Sequence, residues 1–134
     1  MLYFAYASNL SKKYMSNRCP NAMALKKVIL KDYKLTFNEL ADVTPEEGSF
    51  VIGGLYLISK QELEKLDILE GHPDLYERLL VELVDDEGNL YEAFVYSMVY
   101  KKEQQPPESY FKILVEGYDD WGIDKEILER ARQF

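Results

Sequence analysis

From residue 23 to residue 100 the chain is a succession of strand-like apolar runs broken by one strong helix signal, and this order limits the folds open to it. Residues 23–30 and 33–38 are two apolar runs separated by Lys31-Asp32, which predicts paired strands or one bent strand. Thr44-Pro45-Glu46-Glu47-Gly48 reads as a loop, and Phe50 to Ile58 as a strand. Gly53-Gly54 inside that strand points to a bulge or a close backbone approach. The helix signal is Ser59-Lys60-Gln61-Glu62, a capping box in which each of Ser59 and Glu62 answers the other's backbone N–H. Leu63 and Leu66 supply the apolar face, and Gly71 and Pro73 the stop, so the helix is expected over 60–70. Residues 76–84 and 90–100 are strands joined by the hairpin signal Asp85-Asp86-Glu87-Gly88-Asn89. Strands in the middle with helices at the edges predict an α+β domain with a largely antiparallel, barrel-like sheet.

The ends fit the same plan. Residues 1–6 read as a buried strand, Asn9 and Ser11 as turn and cap residues, and 12–17 as a short helix ended by Pro20. Pro106-Pro107 opens a helix to about Glu116, with Gly117 as its stop. Asp124 is expected to cap a last helix that turns Ile127 and Leu128 inward. No repeat, low-complexity tract or linker interrupts the 134 residues, so one domain over 1–134 is expected.

Composition bounds the partners. A net charge of −8 repels nucleic acid and anionic membranes, and the basic pairs Lys12-Lys13 and Lys101-Lys102 are isolated. Cys19 is the only cysteine, so no disulfide forms within the chain, which fits a reducing compartment. No basic segment precedes the short apolar start, so the expected location is cytoplasmic. One His and one Cys do not make a common zinc site, and no loop shows calcium-ligand spacing, so no metal is expected. Eleven Tyr and six Phe make an aromatic core whose buried hydroxyls need partners.

Three groups carry candidate chemistry. Tyr6-Ala7-Ser8-Asn9-Leu10 follows a strand and precedes a helix, so its backbone N–H groups can line an anion-binding concavity. A plain tight turn explains the same spacing more economically. Glu70 stands at the C-terminal end of a helix, against the dipole, with Leu66 and Leu69 nearby. Both the dipole and desolvation raise a carboxyl pKa, which makes a better base near neutrality. As one of 24 acidic residues, it is otherwise expected to be solvated. Tyr76 and Tyr110 offer hydroxyls to a pocket or to the core. No Gly-x-Ser-x-Gly elbow supports a Ser8–His72–Asp triad, a Cys19–His72 pair has no motif behind it, and Gly53-Gly54 lacks the Lys-Ser/Thr of a phosphate loop.

In order along the chain, Tyr3-Phe4-Ala5-Tyr6-Ala7-Ser8-Asn9-Leu10, Arg18-Cys19-Pro20, Asp32-Tyr33-Lys34-Leu35-Thr36-Phe37, Gly54-Leu55-Tyr56, Leu66-Asp67-Ile68-Leu69-Glu70-Gly71, Tyr76, Arg78, Ala93-Phe94-Val95-Tyr96 and Pro106-Pro107-Glu108-Ser109-Tyr110 resemble the gamma-glutamylcyclotransferase-like family. The resemblance implies a small, mostly antiparallel barrel with flanking helices, and a pocket where the signature loop binds the α-amino-acid end of a small substrate. It implies Glu70 as catalytic acid/base, no cofactor, and cyclisation of a gamma-glutamyl group to 5-oxoproline with release of an amino acid or amine. The alternatives are a related enzyme on another gamma-glutamyl amide and a non-catalytic module that binds an amino-acid-like metabolite. The family has Gly where this chain has Ala7. If that position needs φ > 0, Ala7 is strained; if it needs only a small side chain, the methyl narrows the pocket.

Overall fold

The computed structural model describes residues 1–133. The elements are β1 (Leu2–Ala5), a 3₁₀ turn (Ser8–Leu10), α1 (Lys12–Arg18), β2 (Met23–Asn38), β3 (Leu40–Leu57), α2 (Lys60–Glu70), β4 (Tyr76–Val84), β5 (Leu90–Met98), α3 (Glu108–Asp120) and α4 (Glu126–Ala131). The five strands close into a barrel in the order β1-β3-β2-β4-β5. Every neighbouring pair is antiparallel except β1 and β5, which meet in parallel at Tyr3 and Phe94. The α+β barrel with flanking helices is therefore the fold of this chain.

The α2 signals act as their chemistry requires. Ser59 Oγ accepts from the Glu62 N–H at 3.1 Å, and Glu62 Oε1 accepts from the Ser59 N–H at 3.0 Å. Gly71 takes the left-handed conformation, φ 68°, that ends the helix right after Glu70. Leu63 and Leu66 are buried, and each contributes on the order of 1.5–3 kcal/mol by leaving water.

Two local expectations are corrected. Thr44–Gly48 belongs to β3 rather than to a loop. Of the two readings of residues 23–38, the single bent strand holds, with the bend at Lys31-Asp32. The register jumps between Lys31–Phe50 and Tyr33–Pro45, so residues 46–49 face Asp32 across an irregularity. Asp32 has φ 63° and its Oδ1 accepts from the Gly48 N–H at 3.0 Å. Pro45 sits beside this irregularity, where the lost donor is tolerated. The second correction is Gly117, which does not stop α3: the helix runs on to Asp120, and the left-handed exit comes at Gly122, φ 64°. Gly117 is instead a contact point, since a Cβ there would lie 2.8 Å from the Ser11 nitrogen and 2.9 Å from Leu10.

Gly53 and Gly54 pair regularly with Val28 and Lys27, so of the two expectations the close approach holds and the bulge does not. A Cβ on Gly53 would stand 2.3 Å from the Ala5 carbonyl oxygen, and one on Gly54 2.6 Å from the Trp121 ring. Asp124 Oδ1 accepts from the Glu126 N–H at 2.8 Å at the start of α4, where Leu128 is fully buried and Ile127 partly so.

Candidate active site

Helix α3 fixes the first loop from below. Gly117 lets it touch Leu10 and Ser11, the Trp121 indole donates to the Leu10 carbonyl at 2.8 Å, and Asp120 Oδ2 accepts from the Lys12 N–H at 2.9 Å. Ser11 Oγ caps α1 by accepting from the Tyr14 N–H at 3.2 Å. The loop is thereby held as one 3₁₀ turn, whose first N–H groups have no preceding intrahelical carbonyl.

Above this turn lies a cleft of about 290 Å³, including its open mouth, lined by Tyr3, Tyr6, Ala7, Ser8, Asn9, Glu70, Tyr76, Tyr96 and Tyr110. Of the residues singled out in the sequence, Glu70, Tyr6, Ala7, Ser8, Asn9, Tyr76 and Tyr110 come together here. Leu10 does not line the cleft: its side chain is fully buried in the core, and its carbonyl holds Trp121. His72 and Cys19 also lie outside the lining. Tyr3 and Tyr96 line the cleft without having been singled out, because inside strand patterns they look like ordinary core aromatics. Ala7 has φ −128°, so this position does not need a left-handed residue, and its methyl stands at the cleft wall.

Glu70 is held by Asn9 and Arg18. Asn9 Nδ2 donates to Glu70 Oε1 at 3.3 Å and to the Tyr3 hydroxyl at 2.9 Å. Arg18 Nη1 lies 3.5 Å from Glu70 Oε1 and donates to Asn9 Oδ1 at 3.3 Å, while Nη2 donates to the Tyr14 hydroxyl at 2.6 Å. The Glu70 carboxyl is pushed up from its ordinary range; burial is the main cause, opposed by Arg18 and by the Asn9 hydrogen bond. Leu66, fully buried under the helix, and the phenol cage remove water from this side; Leu69 is 45 % exposed and takes no such part.

Each phenol has one proton, and the hydrogen bonds show where it goes. Tyr6 donates to the Tyr96 carbonyl at 2.7 Å, Tyr76 to the Ala41 carbonyl at 2.7 Å, and Tyr96 to Asp67 Oδ1 at 2.6 Å. Tyr3 and Tyr110 instead accept, from Asn9 Nδ2 and from the Ala41 N–H at 3.0 Å. Neither gives its own proton to a protein acceptor among the described residues. Burial raises the pKa of all five cleft phenols above the ordinary range, so they stay protonated at neutral pH. The cleft thus offers one carboxylate, two free phenol donors and several phenol lone pairs. Ala41, which anchors Tyr76 and Tyr110, adjoins the fully buried Asp42, whose carboxylate accepts from the Val43 and Met98 N–H groups, Asn38 Nδ2, Ser97 Oγ and Lys101 Nζ.

Among the described residues no group of His, Cys, Asp and Glu is arranged to hold a metal, and no helix is long and apolar enough to cross a membrane.

Known proteins share this arrangement of elements. A solved structure named gamma-glutamyl cyclotransferase superposes with a TM-score of 0.90 at 26% identity, covering 100% of this chain and 87% of that one. The gamma-glutamylcyclotransferase of Homo sapiens is 28% identical over 144 residues, 98% of this chain and 77% of that protein. A relative from Methanocaldococcus jannaschii is 39% identical over 54 residues, 40% of this chain and 45% of that protein. The family model described as gamma-glutamyl cyclotransferase, AIG2-like matches residues 3–120. The chain belongs to the gamma-glutamyl cyclotransferase, AIG2-like family.

Proposed function

We propose that this chain is a cofactor-independent enzyme, acting in the cytoplasm as one catalytic domain, that cyclises a gamma-glutamyl group to 5-oxoproline and releases an amino acid or amine. The observation that carries the reading is Glu70, a desolvated carboxylate facing a cleft with two free phenol protons, in a chain of this family. The reaction has no external nucleophile. The substrate's α-amine attacks its own γ-carbonyl carbon, the new C–N bond closes the ring, and the bond to the leaving nitrogen breaks. Curling the substrate so that these atoms meet is an orientation effect. Glu70 takes a proton from the α-ammonium and returns it to the leaving nitrogen, and the second proton that the ring nitrogen sheds on becoming an amide goes to the same nitrogen, so the leaving group departs as its ammonium and the proton count closes. Its raised pKa, set by burial, matches it to both steps. Tyr110 or Tyr3 donates to the oxygen that becomes negative at the γ-carbon, and the Ser8–Asn9 turn receives the α-carboxylate.

The test is incubation with a panel of gamma-glutamyl amino acids and amines, with 5-oxoproline as the product measured. Wild type is expected to form it, and Glu70→Gln to abolish turnover while still binding substrate, since a Gln carbonyl still accepts from Asn9. Full activity in Glu70→Gln defeats the mechanism. Binding of amino-acid-like ligands without any turnover makes the chain a metabolite-binding module instead.

A further inference from the structure

We infer that the Tyr96 hydroxyl, polarised by Asp67, is the acceptor that seats the substrate's α-amine: Tyr96 touches the substrate and Asp67 is its positioning residue. The inference rests on the cyclising reaction proposed above and gives its nucleophile a place. That reaction needs the α-nitrogen held still while Glu70 removes a proton from it. An ammonium has three N–H donors, so Glu70 alone does not satisfy it.

The cleft phenols are of two kinds. Tyr3 and Tyr110 accept from the protein and keep a free proton, which suits a substrate oxygen. Tyr6, Tyr76 and Tyr96 give their protons to the protein, so what they offer a ligand is lone pairs, which suit a nitrogen that donates. Tyr6 and Tyr76 donate to neutral backbone carbonyls, whereas Tyr96 donates to a carboxylate, Asp67 Oδ1, at 2.6 Å. A phenol whose proton is drawn to a carboxylate has a more negative oxygen and accepts more strongly. Its proton stays in place, held by burial and then by the Asp67 bond, and the phenol also lies in the field of Glu70. The Tyr96 ring packs edge-on to Tyr3, 5.9 Å between centroids, and its hydroxyl stands at the α2 wall of the cleft.

Asp67 is itself fixed. It precedes Glu70 by three residues on α2, so the two carboxylates leave one face of the helix. Arg78 Nε lies 2.9 Å from Asp67 Oδ1, and the guanidinium carbon lies 5.3 Å from the Phe94 ring centroid. Arg78 and Tyr96 are register partners across β4 and β5, so Asp67 is tied to both members of one rung of the barrel. Helix α2 thus serves the cleft twice, through Glu70 directly and through Asp67 by way of the phenol.

The experiment measures Kd by calorimetry for L-glutamate and for glutarate, which lacks only the α-amine, in wild type, Tyr96→Phe and Asp67→Asn, each checked for folding by thermal melt. Neither ligand has an amide to cleave, and the ratio of the two Kd values isolates the amine. Wild type is expected to bind L-glutamate the more tightly. Glu70 also attracts the ammonium, so Tyr96→Phe should cut the ratio by about 10-fold, the size of one charge-assisted hydrogen bond, rather than bring it to one. Asp67→Asn should cut it by less, because a neutral amide oxygen still accepts the phenol proton but draws it more weakly. If Asp67 only braces α2 against the barrel, Asp67→Asn weakens both ligands together and leaves the ratio unchanged. That result, or an unchanged ratio in Tyr96→Phe, overturns the inference, as does a wild type that binds both ligands equally or neither. Should Asp67→Asn fail to fold, Tyr96→Phe, which keeps the Asp67–Arg78 pair, decides the question. The cyclising reaction is read separately, as 5-oxoproline formed from gamma-glutamyl-alanine by wild type: its absence with the Kd ratios as expected removes that chemistry and keeps the amine seat, and its presence with flat ratios defeats this inference alone.

Discussion

Gly117→Ala sets two opposed effects against each other at one position. In an open helix the change gains about 1 kcal/mol from backbone entropy. Here the added Cβ would stand 2.8 Å from the Ser11 nitrogen, 2.9 Å from the Leu10 carbonyl carbon and 2.9 Å from Leu10 Cβ. Two of these are backbone atoms of the site loop, which is also tied to α3 through Trp121 and Asp120 and cannot simply rotate aside. Overpacking of this kind costs about 3 kcal/mol at the upper end of its usual range, so the net loss is about 2 kcal/mol. For a chain of this length that lowers Tm by about 8 °C. The relief movement lifts the Ser8–Leu10 turn and with it Asn9, the donor to Glu70, so turnover should fall further than the lost folded fraction explains. Urea denaturation gives the stability, and 5-oxoproline formation at a temperature where both proteins are folded gives the activity. A Gly117→Ala protein as stable as wild type or more so, with wild-type turnover, refutes the view that this glycine exists to seat the loop.

The remaining predictions concern the charges and protons of the site. Burial raises Glu70 above its unfolded value, so the fold takes up its proton more readily than the unfolded chain does; the ionised form costs stability at high pH and the cost fades as pH falls through the folded pKa. Glu70→Gln should therefore be more stable than wild type at about pH 8, with the difference shrinking in urea melts towards about pH 4. Tyr110→Phe removes a free phenol proton and should lower kcat by about 10²-fold with little change in KM, whereas Tyr76→Phe, whose proton already serves the Ala41 carbonyl, should cost mainly about 1 kcal/mol of stability. Asp42→Ala should cost about 3–5 kcal/mol because it strips the acceptor from two backbone N–H groups and a lysine, while Lys101→Met, changing a side chain that is 39 % exposed and leaving Asp42 its other four donors, should cost about 1 kcal/mol by the same melts.

Much of this was legible in the chain because the signals were local. The capping box and Gly71 locate α2 and make Glu70 its last residue, and Asp85–Asn89 announces a hairpin that requires no long-range information. The misreadings arose where a residue type serves a distant partner. Pro45 and Gly48 look like loop residues, but the ladder with β2 extends past them and absorbs them beside an irregularity. Gly117 looks like a helix stop because its role is set by Leu10 and Ser11, more than a hundred positions earlier. In the site, the Tyr6–Asn9 loop and Glu70 carry their own local marks, whereas Tyr3 and Tyr96 join them only through barrel closure between β1 and β5. Arg18 is similar: nothing in its neighbourhood along the chain says that it faces Glu70 rather than solvent.

Trp121 has an optical consequence. It is the only tryptophan of the chain, and it touches the site from behind: its indole holds the Leu10 carbonyl, lies across Gly54, and has the Lys12 ammonium 4.9 Å from the ring centroid. Excited at wavelengths where the eleven tyrosines absorb little, its emission comes from one place only, the underside of the turn formed by Ser8, Asn9 and Leu10. A ligand on the upper side of that turn is expected to shift the hydrogen bond or the charge distance that the indole senses. The molecule therefore carries a native fluorophore against its candidate site loop, and a change of its emission on adding a gamma-glutamyl compound would report occupancy without a label or a turnover assay.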